Sequence, residues 1–354
     1  MKSIELFLKE LLSSPGISGY ENPVCTLIQK QWEALADEIQ ISRVGSLHAL
    51  RRASTPGEHP CVMIAAHMDA IGLMVKEIRD GLLWITQIGG VDPRVLPGQL
   101  VTVHGQKDYK GVVQMLPDRL VKDQPAGSAP VYPRLFVDTG LSTAEISKNI
   151  SVGDVVSFAT TPTTHGGKFI SGHSLDNRAS VAALTVCLEE LRNYQLQWDL
   201  WSVATVQEER GAVGAFSSTF DLKPQVGIAV DVTFAQEPGL NTHETFPLGK
   251  GVTIGVGGNI HPALQQRFME IAEEIDLPHS IETMPRSSGT DAMAIQITAA
   301  GVPTMVVGIP IRYMHTPLEM AALSDITRAG RLLARFITRL EPGSPDSLFN
   351  GGAA

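Results

Sequence analysis

Cysteine is scarce here, with only Cys25, Cys61 and Cys187 in a chain of 354 residues. They are odd in number, far apart and without a C-x-x-C pair, which argues against a disulfide framework and fits a reducing compartment. Positive charge is also short. Lys and Arg total 28 against 37 Asp and Glu, a formal net charge of −9, and no basic run occurs. Such a chain is a poor partner for nucleic acid or an anionic membrane surface. No apolar run approaches the roughly 18 residues of a membrane span, and no internal repeat is visible. The opening stretch MKSIELFLKELLSSPG is interrupted by Glu5 and Glu10. Its apolar residues recur at helical spacing, so it reads as an amphipathic helix rather than a signal peptide. A cytoplasmic protein is expected.

What is present is ordinary globular material, 43% hydrophobic and 18% charged residues, in a length that suggests about two domains. Helices are expected over 2–12 and about 22–38, then a buried strand over 61–66. From Leu73 to His165 the texture changes to short Val/Ile-rich runs (LLWITQI, LVTVHG, KGVVQML, DVVSFAT) punctuated by Gly, Pro and Asp, with one helix over 143–150. That pattern predicts a small antiparallel barrel or sandwich. Alternation then returns: helices over 176–194, 262–276, 290–300 and 321–340, and strands over 198–206, 226–232 and 302–308. The expected fold is α/β, a mostly parallel sheet sandwiched by helices, formed by 1–72 and 166–354 and interrupted by an inserted β unit over 73–165. The tail 342–354 is expected to be disordered.

Chemistry-bearing residues collect where these strands end, the place ligands occupy in open α/β sheets. His67-Met-Asp69 follows the first buried strand, and Asp69 can hold the His67 ring as a metal-ligating histidine is held; alone, H-x-D is more readily a strand-end histidine satisfied by its neighbour. Asp176 opens a helix, where aspartate is a common cap, but its two oxygens could also bridge two cations. Glu208 and Glu209 follow WDLWSVATV and precede small apolar residues, an expensive position for adjacent charges without partners. One of such a pair can bind metal while the other takes a proton from water. Asp231 lies near the end of VGIAVDV, and His315 follows the strand over 302–308. His67, Asp176, Glu209, Asp231 and His315 thus give one donor per strand end. His, Asp and Glu without thiolate suit zinc, cobalt or manganese. Five ligands with one bridging carboxylate fit a dinuclear site.

AAHMDAIGLMV, LDNRAS, VQEERGAVGA, AVDVTFA, LGKGV, SSGTDA and PIRYMHTPLEM, in this order and spacing, resemble the tetrahedral aminopeptidases. These are dinuclear metallopeptidases also described as glutamyl or deblocking aminopeptidases and, historically, as endoglucanases. The resemblance runs from ISGYE near residue 17 to the last helix. It implies a phosphorylase/hydrolase-like peptidase domain with an inserted small β-barrel used in dimerisation, and assembly from dimers into a tetrahedral dodecamer. It further implies two divalent metal ions per subunit, with His67, Asp231, Glu209 and His315 as terminal ligands and Asp176 between the ions. Glu208 would be the general base and Asp69 would orient His67. Peptides would be the substrates, cut behind their amino-terminal residue. Ala70 and Ser288 depart from the commoner residues of the family, as does the segment FAQEPGLNTHE, and these departures bear on substrate choice.

Rival readings keep the metal set but change the reaction, as in a deacylase of N-acyl amino acids. An endoglucanase would instead need two carboxylates flanking a sugar and no metal, and a third reading is a non-catalytic peptide-binding assembly. His104, His165 and His173 read as surface or structural. Arg312 and Glu319 flank His315 and could pair across its loop. Gly289, Thr290 and Asp291 read as a helix start that the resemblance also places at the site.

Overall fold

The computed structural model describes residues 3–117, 129–240, 244–343 and 345–349. Every residue of the strand Cys61–His67 is buried, and side chains two apart share a face. Val62, Ile64 and Ala66 therefore enter one core layer, Met63 and Ala65 the other. A strand buried on both faces needs helices on both. Ile4–Ser13, Asn22–Trp32, Leu175–Glu190, Pro262–Glu274 and Leu323–Thr338 cover the first layer, and Val213–Leu222 and Asp291–Ile297 the second. Leu175–Glu190 is buried at every position from Leu175 to Leu188. It accepts Leu323–Thr338 at close range because Gly330 lacks a Cβ, which would strike the Ala183 carbonyl.

The α/β sandwich with its inserted barrel is thus present. Four parallel strands make the centre of the sheet, in the order Asp199–Thr205, Cys61–His67, Val226–Phe234 and Thr304–Arg312. Its margins are antiparallel. Glu38–Ile41 and Leu47–Arg51 extend one side, and Glu319–Ala322, Phe169–Gly172 and Thr163–His165 the other. Val252–Gly257 branches from Thr304–Arg312 and pairs in parallel with His279–Met284.

The barrel closes from six strands, Gly72–Arg79, Leu82–Ile88, Leu135–Asp138, Asp108–Met115, Leu100–His104 and Val155–Phe158. Its core includes Leu73, Val75, Leu83, Val101, Val113, Val137 and Val156. The helix Thr143–Asn149 begins with a capping box of Ser142 and Glu145.

Three expectations need correction. The second helix ends at Trp32 rather than 38, because Ile39 and Ile41 alternate as strand residues do and pair with Ala49 and Leu47. The boundary at 165 is late by one strand, since Thr163–His165 pairs with Phe169–Gly172 in the main sheet. Within the tail, Asp346–Phe349 forms a helical turn and the Phe349 ring lies 4.6 Å from that of His261; residues 350–354 lie outside the described residues.

His48, in the hairpin the sequence did not disclose, is fully buried with Nε2 2.8 Å from Ser218 Oγ. Burial pushes its pKa down to about 4, against the pull of the Asp221 carboxylate. The folded chain therefore holds His48 neutral. Stability tied to it is complete above the unfolded value near 6.5 and is lost as pH falls toward 4. His48→Gln is expected to flatten the acid loss of stability between pH 7 and 4.5 by about 2–3 kcal/mol, measured by urea unfolding across that range.

Candidate active site

The parallel strands of the centre run the same way, so their carboxyl ends open on one crevice. His67 closes Cys61–His67, Gln207–Arg210 follows Asp199–Thr205, Asp231 lies within Val226–Phe234, and His315 follows Thr304–Arg312. Asp176 stands at the start of Leu175–Glu190, and its peptide bond to Asn177 is cis. The three loops that deliver Asp176, Glu208 with Glu209, and His315 pass through left-handed backbone at Ser174, Gln207 and His315 itself, with φ of 71°, 56° and 61°. Such residues cost on the order of 1–3 kcal/mol each and persist where surrounding structure holds them.

These residues converge. His67 Nε2 lies 3.1 Å from Asp176 Oδ1, 3.7 Å from Asp231 Oδ1 and 4.0 Å from Glu208 Oε2. His315 Nε2 lies 3.3 Å from Asp176 Oδ2 and 3.7 Å from Glu209 Oε1. Two donor sets result, His67–Asp176–Asp231 and Asp176–Glu209–His315, each with its ligand atoms within 4.8 Å of one another. Asp176 belongs to both and turns a different oxygen to each histidine. All five ligand candidates and Glu208 line a cleft of about 270 Å³.

Burial dominates the electrostatics, and the crowding of acids adds to it. Burial pushes Glu208 up to about 8, with Asp291, Glu209 and Asp176 adding repulsion and His67 opposing. Burial likewise lifts Glu209 to about 7 and Asp231 well above the aspartate range. Burial would raise Asp176 too, but the bonds from His315 and His67 hold it below its ordinary value. His315 rises to about 9 through its bond to Asp176. His67 rises as well: burial opposes this, and the carboxylates of Asp176 and Asp69 outweigh it. Asp176, Glu208, Glu209 and Asp231 face the two imidazoles in the cleft, and the raised values of three of these acids are what a bound cation would lower.

A second layer holds the first by its backbone. Asp69, fully buried, accepts the N–H of Glu208 (3.0 Å) and of Glu209 (3.2 Å). Its expected contact with His67 is there as well, Nδ1 lying 3.2 Å from the Asp69 carbonyl and 3.4 Å from Oδ1. Glu21 accepts the N–H of Gln207 (3.2 Å). Glu319 accepts those of Asp176 (3.1 Å) and His315 (3.2 Å). The pairing of Glu319 with Arg312 does not occur; Arg312 Nε instead donates to the Gln236 carbonyl. Beneath these acids sits Arg178, buried, donating to the carbonyls of Leu11, Ser14 and Met68. Burial lowers its pKa to about 10, and Asp69, Glu319 and Glu21 draw it back.

Thr290 caps Asp291–Ile297, and Gly289 and Thr290 line the cleft, whereas Asp291 is buried behind it on Thr205. Ser288, one of the departures, also lines the cleft and bonds Thr290 (2.8 Å). His104 and His165 are tied to Ser157 and Ser171, and His173 is buried against Phe158, so none joins the cluster. The inserted unit reaches the site through Gly89 and Gly90; a Cβ on Gly90 would lie 2.7 Å from His315 Nδ1.

Comparison with known proteins points the same way. The family model for M42 glutamyl aminopeptidase matches residues 45–332. A lysyl aminopeptidase of Pyrococcus furiosus is 37% identical over 343 residues, covering 95% of this chain and 97% of its own. The crystal structure of a TET aminopeptidase from a marine sediment Thaumarchaeota archaeon superposes with a TM-score of 0.91 at 25% identity, covering 98% of each chain. The TET1 peptidase of Pyrococcus horikoshii, which can assemble into a tetrahedron or a large octahedral shell, gives 0.83 at 28% identity, covering 96% of this chain and 100% of that one.

Proposed function

The chain belongs to the M42 glutamyl aminopeptidase family, and from that premise we propose that it removes amino-terminal residues from peptides with two divalent cations and Glu208 as general base. One observation carries the reading: Asp176 offers one oxygen to each of two His/carboxylate sets. The donors fit. Mixed imidazole and carboxylate without thiolate suits zinc or cobalt, with manganese also accommodated. His67, Asp231 and Asp176 would hold one ion, and Asp176, Glu209 and His315 the other. When bound, the ions supply Lewis acidity to the scissile carbonyl and acidify water.

The chain's own residues do the rest. Glu208 takes the proton of the attacking water and returns it to the leaving amine. Asp69 fixes the Glu208–Glu209 backbone and the His67 ring, so that base and ligands keep their spacing. Glu319 does the same for Asp176 and His315.

Chelation is expected to abolish release from a panel of aminoacyl chromogenic substrates, and re-supplied zinc, cobalt or manganese to restore it with two ions per chain by metal analysis. No metal-dependent release from any member overturns the reading. Release from N-acetylated substrates alone moves it to a deacylase.

The barrel strands are proposed as the dimerisation element of a larger, dodecameric shell. Exposed Leu100 and Val152 on the inserted unit, and Phe216 and Phe220 on the body, offer apolar contact area. Sedimentation at micromolar concentration is expected to show species far above monomer mass, and Phe220→Asp to shift them downward. No helix among the described residues is long and apolar enough to cross a membrane. With Cys25, Cys61 and Cys187 buried and unpaired, a cytoplasmic setting is proposed.

A further inference from the structure

The cleft contains one more acid that the chemistry above does not use. Glu282, on His279–Met284, lines it together with Asp231, Thr233, Phe234 and Met314. Thr233 Oγ1 donates to Glu282 Oε1 (2.7 Å) and Thr253 Oγ1 to Oε2 (2.5 Å). Both threonines are buried, so the carboxyl is held in one orientation. Burial raises its pKa and the two hydroxyls pull it back; among the described residues no Lys, Arg or His pairs with it. A desolvated carboxylate without a cation is costly, and such groups in clefts mark functional positions.

Its placement measures out a substrate. Asp231 and Thr233 lie two apart on one extended strand, so they share a face about 6–7 Å apart along it. Asp231 belongs to the proposed metal set, and Thr233 carries Glu282. A substrate whose amino terminus sits at the cluster would therefore find Glu282 at a distance comparable with the reach of a four-carbon lysine stem. Phe234 and Met314 supply apolar surface beside that path. A neutral side chain would leave Glu282 unpaired, and a glutamyl side chain would meet like charge. Resting on the aminopeptidase reading, we infer that Glu282 selects peptides whose amino-terminal residue is lysine or arginine by pairing with the cation at the end of that side chain.

The test compares kcat/KM on lysyl, arginyl, leucyl and glutamyl chromogenic substrates for metal-loaded wild type, Glu282→Gln and Glu282→Asp. Wild type is expected to favour the basic pair over leucyl at least tenfold and to handle glutamyl worst. In Glu282→Gln that basic-to-leucyl ratio should fall at least tenfold, mainly through KM, and Glu282→Asp should retain part of it. Calorimetric titration needs no turnover: wild type should bind L-lysine at least tenfold more tightly than L-norleucine, which has the stem without the charge. Metal-dependent release without basic preference, a ratio unmoved in Glu282→Gln, or equal binding of the two amino acids overturns the inference and leaves the aminopeptidase reading standing. No metal-dependent release of any residue overturns both.

Discussion

Glu208→Gln is expected to lower kcat by about 10²- to 10⁴-fold, the range general acid–base catalysis contributes, which is roughly 3–5 kcal/mol on the barrier. Glutamine keeps the shape and polarity of the side chain but cannot accept a proton from water. The ligand sets do not depend on it: His67, Asp176 and Asp231 converge without Glu208, as do Asp176, Glu209 and His315. Metal content and KM should therefore stay close to wild type, and that split separates a lost base from a damaged site. Near-normal turnover in the metal-replete variant would move the base elsewhere.

Arg178→Met is expected to cost about 3–5 kcal/mol of stability, the scale on which a buried ion network fails when one partner is removed. Methionine fills part of the volume but donates nothing. The carbonyls of Leu11, Ser14 and Met68 lose their donor, and Asp69, Glu319 and Glu21 lose the cation that offsets them. In a chain of this size the melting temperature should fall by about 4–7 °C. Those three acids also grip the backbone of Gln207, Glu208, Glu209, Asp176 and His315. Metal affinity should therefore drop along with stability, measured by competition with a chromogenic chelator. Arg178→Lys keeps the charge but not the forked donors, and is expected to fall between. A variant that melts like wild type and binds metal like wild type would remove Arg178 from this role.

His67, Asp231 and His315 were legible because each lies at or just past the end of a strand that announces itself by an apolar run, as in CVMIAA before His67 or VGIAV before Asp231. Asp176 stood out as an acid at the start of a helix. The second layer was not legible. Glu319 acts on the N–H of Asp176, 143 positions away, and Glu21 on that of Gln207, 186 away; backbone acceptors at such range leave no spacing to read. Glu282 was hidden for a related reason, since its partners Thr233 and Thr253 belong to other strands. Weak patterning concealed the sheet margins. Glu38–Ile41 is exposed or half-buried along its length, so its two-residue period did not stand out against the helix before it. The start of the barrel was clear at Leu73, but its end was blurred because Thr163–His165 carries the same β texture into the main sheet.

Gly90 limits how far this protein can be treated as interchangeable parts. The turn that returns from the barrel presses bare backbone against the His315 ring, and Gly72, the first barrel residue, leaves no room for a Cβ against Ile17 of the body. A graft that replaced the barrel with one from another source would have to match both seams to within a methyl group. A chimera that missed the first seam would push on the His315 ring, and one that missed the second would push on Ile17.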